Sequence, residues 1–358
     1  MQPQSTPTPS RGAAENPPNR FEPLALEPDP DWYEPDERPL ATQFFRDRSQ
    51  TIINYNDSPD IPFAASINPY RGCEHGCIYC YARPFHEYLG FSSGLDFETK
   101  IMVKDDAPDL LRRELASPKW NPQVIAMSGV TDCYQPVERK LKITRRCLEV
   151  LAEFRNPVAI VTKNHLITRD LDVLAELARH NAAAVFISLT TLDTSLRKVM
   201  EPRTSPPAAR LSAIRELSRA GVPVGVLVAP VIPGLTDHEI PRLIAAAVEA
   251  GAQFAGHTTL RLPCSVAPLF EQWLARHFPQ KKEKVLNRIR ALRGGKLNDA
   301  RFDSRMTGEG IFAEQIEKLF EVACRKAGIR EHSPALSTAA FRRPSSPQMS
   351  LFDLEESN

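Results

Sequence analysis

Three cysteines share one short run, Asn68-Pro-Tyr-Arg-Gly-Cys73-Glu-His-Gly-Cys77-Ile-Tyr-Cys80-Tyr81. The spacing C-x3-C-x2-C supplies three thiolates, enough to hold three irons of a [4Fe-4S] cube and leave the fourth iron without a protein ligand. An open iron of that kind is a catalytic site. A structural zinc knuckle competes for the same residues, but it needs a fourth ligand to close its tetrahedron. His75 is cramped inside the loop, His86 is reachable, and no second cysteine pair follows. A disulfide framework fares worse, because three close cysteines are odd in number and the N-terminus lacks the apolar stretch of a secretory signal. The cluster is the leading expectation and zinc the alternative.

The elements around the loop follow a regular pattern from residue 63 onward. Short apolar, β-branched runs at 63–67, 123–127, 158–162, 184–188, 222–228 and 253–260 read as strands. Between them, 141–154, 169–180, 207–220 and 238–250 carry apolar residues at helical spacing, with Gly221 and Gly251 as helix stops. Six βα units predict an α/β fold with a parallel sheet closing into a full or partial barrel. Such barrels put their chemistry on the loops after the strand carboxyl ends, and the cysteine run follows the first strand.

The chain has 358 residues and a formal net charge of +1, so the overall balance points to no partner. Its distribution is more informative. Residues 1–60 carry 5 basic and 11 acidic side chains, whereas residues 276–343 carry 16 basic and 8 acidic. The expected organisation is a disordered, Pro-rich acidic tail over 1–40, the barrel over 41–275, a basic helical extension over 276–333 and a disordered tail over 334–358. The basic extension suits a phosphate-bearing partner through Lys281, Lys282, Lys284, Arg288, Arg290 and Arg293, although a solvated helix face explains it as well. No run approaches a membrane span, and the seven cysteines read as thiols of a cytoplasmic protein.

With Tyr79 just before the last cysteine, the loop resembles the signature of the radical S-adenosylmethionine (radical SAM) superfamily. Ser66-Ile-Asn-Pro-Tyr-Arg-Gly-Cys73, Cys80-Tyr-Ala-Arg-Pro-Phe-His86, Thr131-Asp-Cys-Tyr-Gln-Pro-Val-Glu138, Glu201-Pro-Arg-Thr204 and Ala229-Pro-Val-Ile-Pro-Gly-Leu-Thr-Asp237 further resemble the branch related to spore photoproduct lyase. The resemblance implies a partial (β/α)6 TIM-like barrel, a [4Fe-4S] cluster on Cys73, Cys77 and Cys80, and SAM as cofactor. It implies reductive SAM cleavage to a 5'-deoxyadenosyl radical, an electron donor of flavodoxin or ferredoxin type, and action on nucleic acid as in DNA repair. Carried to this chain, it places Tyr79 and Tyr81 beside the cluster and SAM. Thr131, Asp132, Lys163, Ser188 and Arg203 lie at or after strand ends where they could grip SAM, the two cations suiting its carboxylate. The family's hydrogen-donor cysteine precedes the Ser/Thr-Asp pair. This chain has Gly129-Val130 there, and Cys133 follows the pair as a shifted donor or a small core thiol.

A second motif lies in the C-terminal tail, Gln348-Met-Ser-Leu-Phe-Asp-Leu354. It resembles the bacterial sliding-clamp-binding peptide, with Gln348 as polar anchor and Met349, Leu351 and Phe352 as apolar ones. Three functions therefore compete: a radical SAM enzyme acting on nucleic acid, the same chemistry on RNA, peptide or metabolite, and a non-catalytic metal-binding protein associated with clamp or DNA.

Overall fold

The computed structural model describes residues 11–21 and 41–344. Ten strands occur among them: β1 (Gln43–Arg46), β2 (Ile53–Tyr55), β3 (Ala65–Ile67), β4 (Tyr70–Arg71), β5 (Lys100–Val103), β6 (Ile125–Met127), β7 (Val158–Thr162), β8 (Ala183–Ser188), β9 (Val224–Val231) and β10 (Phe254–Thr259). The six expected strands are β3, β6, β7, β8, β9 and β10. They pair in parallel and in chain order, and β2 adds antiparallel at the β3 edge. With β10 and β2 at opposite edges, the sheet is an open, partial barrel.

The crossovers are helices because their apolar residues repeat on one face. The helix Ile143–Phe154 buries Ile143, Cys147, Leu148, Leu151 and Phe154, and the helix Leu171–Arg179 buries Val173, Leu174 and Leu177. The helices Pro207–Arg219 and Ile240–Glu249 each end two residues before Gly221 and Gly251, whose φ values of +74° and +103° suit glycine. Buried Ile, Val and Leu from both layers form the main core.

Three features depart from the expected pattern. A small second sheet, β1-β5-β4, stands beside the barrel; β1 is exposed throughout and β4 has two residues, so neither offers an apolar alternation to read. The boundary expected at 275/276 falls inside the helix Val266–His277, and one apolar cluster joins Cys77, Ile78 and Trp273 to Val285, Leu286 and Ile289. Residues 11–21, within the segment expected to be a disordered tail, pack on the cysteine loop, and Ala13 is buried there. No helix among the described residues is long and apolar enough to cross a membrane.

Packing between β9 and β10 leaves no room at Gly225. An added Cβ would lie 2.1 Å from the Phe254 ring and 2.5 Å from its carbonyl oxygen. Gly225→Ala is therefore expected to cost about 1–3 kcal/mol of stability by overpacking, measured as a lower midpoint in urea unfolding, whereas Gly256→Ala, whose nearest contact is 3.4 Å away, should be far milder.

Candidate active site

The cysteine loop leaves the carboxyl end of β3 through β4 and turns across the sheet. Cys73 and Cys77 are buried and Cys80 is partly so. Burial is the first cause pushing all three thiols above their ordinary range; at Cys73 the charge of Asp132 and the other two sulfurs add to it. Opposing it are the backbone N–H of His75 at Cys73, the charges of Lys163 and then Arg210 at Cys77, and at Cys80 the Arg83 guanidinium first, then the Ala82 N–H and Lys163. Sulfurs with N–H donors and a cation beside them suit thiolates bound to a positive centre. Among the described residues no three His, Cys, Asp or Glu side chains are grouped to hold a single metal ion. Three thiols on one loop, Cys73, Cys77 and Cys80, would suit a [4Fe-4S] cluster, which takes each thiolate on a different iron.

A buried ion pair holds the loop. Arg83 and Glu98 are both fully buried and meet at 2.5 Å. All five N–H groups of Arg83 are used: Nε and Nη2 donate to the Cys77 carbonyl, Nη1 donates to those of Ser93 and Gly94, and Nη2 also donates to Glu98. Glu98 in turn accepts the backbone N–H groups of Gly12 and Ala13. Those bonds lay residues 11–13 directly on the loop, so close that a Cβ at Gly12 would fall 1.7 Å from the Gly76 carbonyl oxygen. Sequence reasoning missed this pair; only the position of Arg83, three residues after Cys80, hinted at a role.

The Thr131–Glu138 segment stitches the loop to its neighbours. Thr131 Oγ1 donates to the Tyr70 carbonyl, and the Gln135 amide bridges the Gly72 carbonyl and the Glu74 N–H. Asp132 accepts from Thr162 Oγ1 and the Lys163 N–H, both at 2.8 Å, and faces His75 Nδ1 at 3.3 Å. Burial would raise the Asp132 carboxyl, but His75 and these hydrogen bonds hold it below its ordinary range. Thr131 and Asp132, expected to grip SAM, thus serve here to tie β6 and β7 to the cysteine loop. Arg203, expected at the SAM carboxylate, ion-pairs with Glu74 at 3.0 Å and donates its backbone N–H to the His75 carbonyl.

Lys163 and Ser188 do come together. Lys163 Nζ donates to Ser188 Oγ at 2.5 Å and to the Ala229 carbonyl at 2.9 Å, stands 3.5 Å from Glu201, and lies 5.7 Å from the centre of the Tyr79 ring. The Tyr79 hydroxyl donates to Glu201, which is fully buried and also paired with Arg210. Burial alone would raise Glu201, but Arg210 and Lys163 outweigh it and hold the carboxyl well below its usual range. Tyr81 is exposed and its hydroxyl donates to the Gly129 carbonyl at 2.6 Å. Cys133 lies in the main core with no exposed surface, and burial first, then Asp132, pushes its thiol up.

The basic extension separates into different fates. Arg288 pairs with Asp237, Lys282 with Glu271, and buried Arg293 donates to the carbonyls of Leu260 and Ser304. Lys281 and Lys284 line a cleft of about 420 Å³ with Gly234, Asp237 and Phe312. Gln348, Met349, Leu351 and Phe352 lie outside the described residues.

An open parallel barrel with three cysteines clustered past its first strand defines a class of protein, and the chain belongs to the Radical SAM superfamily, whose family model matches residues 67–247. An uncharacterized protein of Mycobacterium tuberculosis is 39% identical over 222 residues, a match covering 62% of this chain and 65% of that relative. Spore photoproduct lyase of Bacillus subtilis is 27% identical over 179 residues, or 48% of this chain and 45% of that one. Among solved structures, spore photoproduct lyase complexed with dinucleoside spore photoproduct shares the fold, with a TM-score of 0.58, 16% identity, and coverage of 79% of this chain and 78% of the other.

Removing one partner of the buried pair leaves an uncompensated charge. Arg83→Ala is expected to cost about 3–5 kcal/mol, read from chemical unfolding, and to expose residues 11–21 to protease. The double change Arg83→Met with Glu98→Gln should recover part of that stability.

Proposed function

We propose that this protein is a radical SAM enzyme acting on nucleic acid. The observation that carries the first part is the placement of Cys73, Cys77 and Cys80 in one anchored loop at the strand carboxyl ends, beside Lys163. When bound, a [4Fe-4S] cluster supplies the electron that cleaves SAM to methionine and a 5'-deoxyadenosyl radical. The chain's own contribution is rigidity and exclusion of water. Arg83 and Glu98 fix the loop, Gly12 and Ala13 cover it, and the Tyr79–Glu201–Arg210 network orients Lys163 towards it. Lys163 and Arg203 bring cations to that end of the barrel, where an amino-acid carboxylate could be drawn in.

The nucleic-acid substrate is supported by the likeness to spore photoproduct lyase, described in complex with a dinucleoside photoproduct, and by the basic cleft at Lys281 and Lys284. Action on RNA, a peptide or a metabolite is the alternative within the same chemistry.

Anaerobic purification with iron and sulfide quantified, followed by assay of 5'-deoxyadenosine, tests the first part. Wild type is expected to hold the cluster and form 5'-deoxyadenosine, and Cys73→Ala, Cys77→Ala and Cys80→Ala to lose both; a reduced cluster that fails to cleave SAM would favour a structural metal protein. For the second part, Lys281→Ala with Lys284→Ala should weaken DNA binding across sequences and flatten the slope of log K against log salt by about one per lost phosphate contact. Unchanged binding and slope would remove that cleft from the interface.

A further inference from the structure

Three arginines lie over exposed aromatic rings in one row next to the cysteine loop. The Arg20 guanidinium is 4.7 Å from the centre of the Phe21 ring and 5.5 Å from that of Tyr88, and the two rings are 4.9 Å apart. Arg261 is 5.4 Å from the Tyr81 ring and Arg305 4.7 Å from the Phe302 ring. Phe21, Tyr88 and Phe302 are each more than half exposed, and Tyr81 follows Cys80 directly. The pairs are joined to one another. Arg20 donates to the sulfur of Cys264, at the end of the short loop that begins with Arg261, and Arg261 in turn reaches the sulfur of Met306, the neighbour of Arg305.

Two of these cations are already neutralised, Arg20 by Glu87 and Arg305 by Asp60. Arg261 is different. Among the described residues its Nη1 meets only the Met306 thioether, its buried Nε has no hydrogen-bond partner, and no carboxylate forms an ion pair with it. A half-buried guanidinium left in that state favours an anion that completes it.

Aromatic faces alternating with arginines fit one kind of partner well. Every nucleobase offers a π-face, so stacking on such rings is strong and tolerant of sequence, and a guanidinium can stack or take a phosphate. A duplex hides its base faces, whereas an unpaired strand presents them. We propose that this row docks single-stranded nucleic acid, with bases stacked on Phe21, Tyr88 and Phe302 and a phosphate on Arg261. It rests on the nucleic-acid reading above and names the surface and the strand state that reading leaves open.

The test is fluorescence anisotropy of the full chain with a labelled oligothymidine and with a duplex of the same length at matched salt. Wild type should bind the single strand more tightly than the duplex. Tyr88→Ala and Phe302→Ala should each weaken single-strand binding about tenfold, and Arg261→Gln should lower the salt slope by about one. Tyr55→Ala removes an aromatic that is 70% exposed on β2, outside the row, and should bind as wild type. Tyr88→Phe should also bind as wild type, which separates lost stacking from misfolding. Wild-type binding by both Tyr88→Ala and Phe302→Ala, or an equal loss in Tyr55→Ala, would overturn the row while leaving the nucleic-acid reading intact. Binding of neither strand form would overturn both.

Discussion

Everything around the cysteines depends on one buried ion pair. Arg83 sits three residues past Cys80 and spends its whole guanidinium on main-chain carbonyls and one carboxylate. A charge this deep is tolerated only when all of its donors are satisfied, and satisfying them requires the Cys77 carbonyl, the Ser93–Gly94 carbonyls and Glu98 to converge. The pair is better understood as a device of position than as a source of stability. It converts a glycine-rich turn, which would otherwise sample many conformations, into a frame that presents three sulfurs in one arrangement.

Around that frame the site is built in shells of buried charge. Glu74 is shared between Arg203 and the Val137 N–H, Asp132 between His75 and the end of β7, and Glu201 between Arg210, Tyr79 and Lys163. Each carboxylate joins segments far apart in the chain. The result is a polar layer across the carboxyl ends of β6, β7 and β8, beside a largely apolar core. Such a layer is sensitive to the loss of any one member, because each deletion strands a charge in low dielectric. It also explains why residues expected to grip SAM are engaged with the protein itself.

The segment 11–21 adds a cover to this arrangement. Gly12 and Gly94 let two stretches of backbone approach more closely than any side chain would allow. Glu98 then binds both the cover and Arg83, so the same carboxylate joins loop and cover. The helices Val266–His277 and Lys282–Leu292 join it, packing Trp273 and Leu286 in one cluster with Ala13 and Ile78, while Gln272 donates to Glu15 of the cover. A cysteine loop packed under this cover is shielded from water, which suits chemistry that must not leak electrons or radicals to solvent.

Much of this protein was legible in the sequence. The six parallel strands could be read because fully buried strands are short β-branched runs and their crossover helices carry an unbroken 3.6-residue apolar repeat; Val158–Thr162 was found to the residue. The place of the cysteine run after the first barrel strand was legible because the loop is local and follows that strand directly in sequence. The second sheet was not, since strands of two to four residues with exposed faces carry no period. Nor were the partners of the charged residues. Whether Arg203 meets Glu74 or Glu201, and whether Cys133 faces a mouth or a core, depends on contacts between segments about 60 to 130 residues apart. Sequence patterns record which face of an element is buried, because burial repeats along it. They do not record what a buried charge meets across the fold, because that choice belongs to the tertiary packing alone.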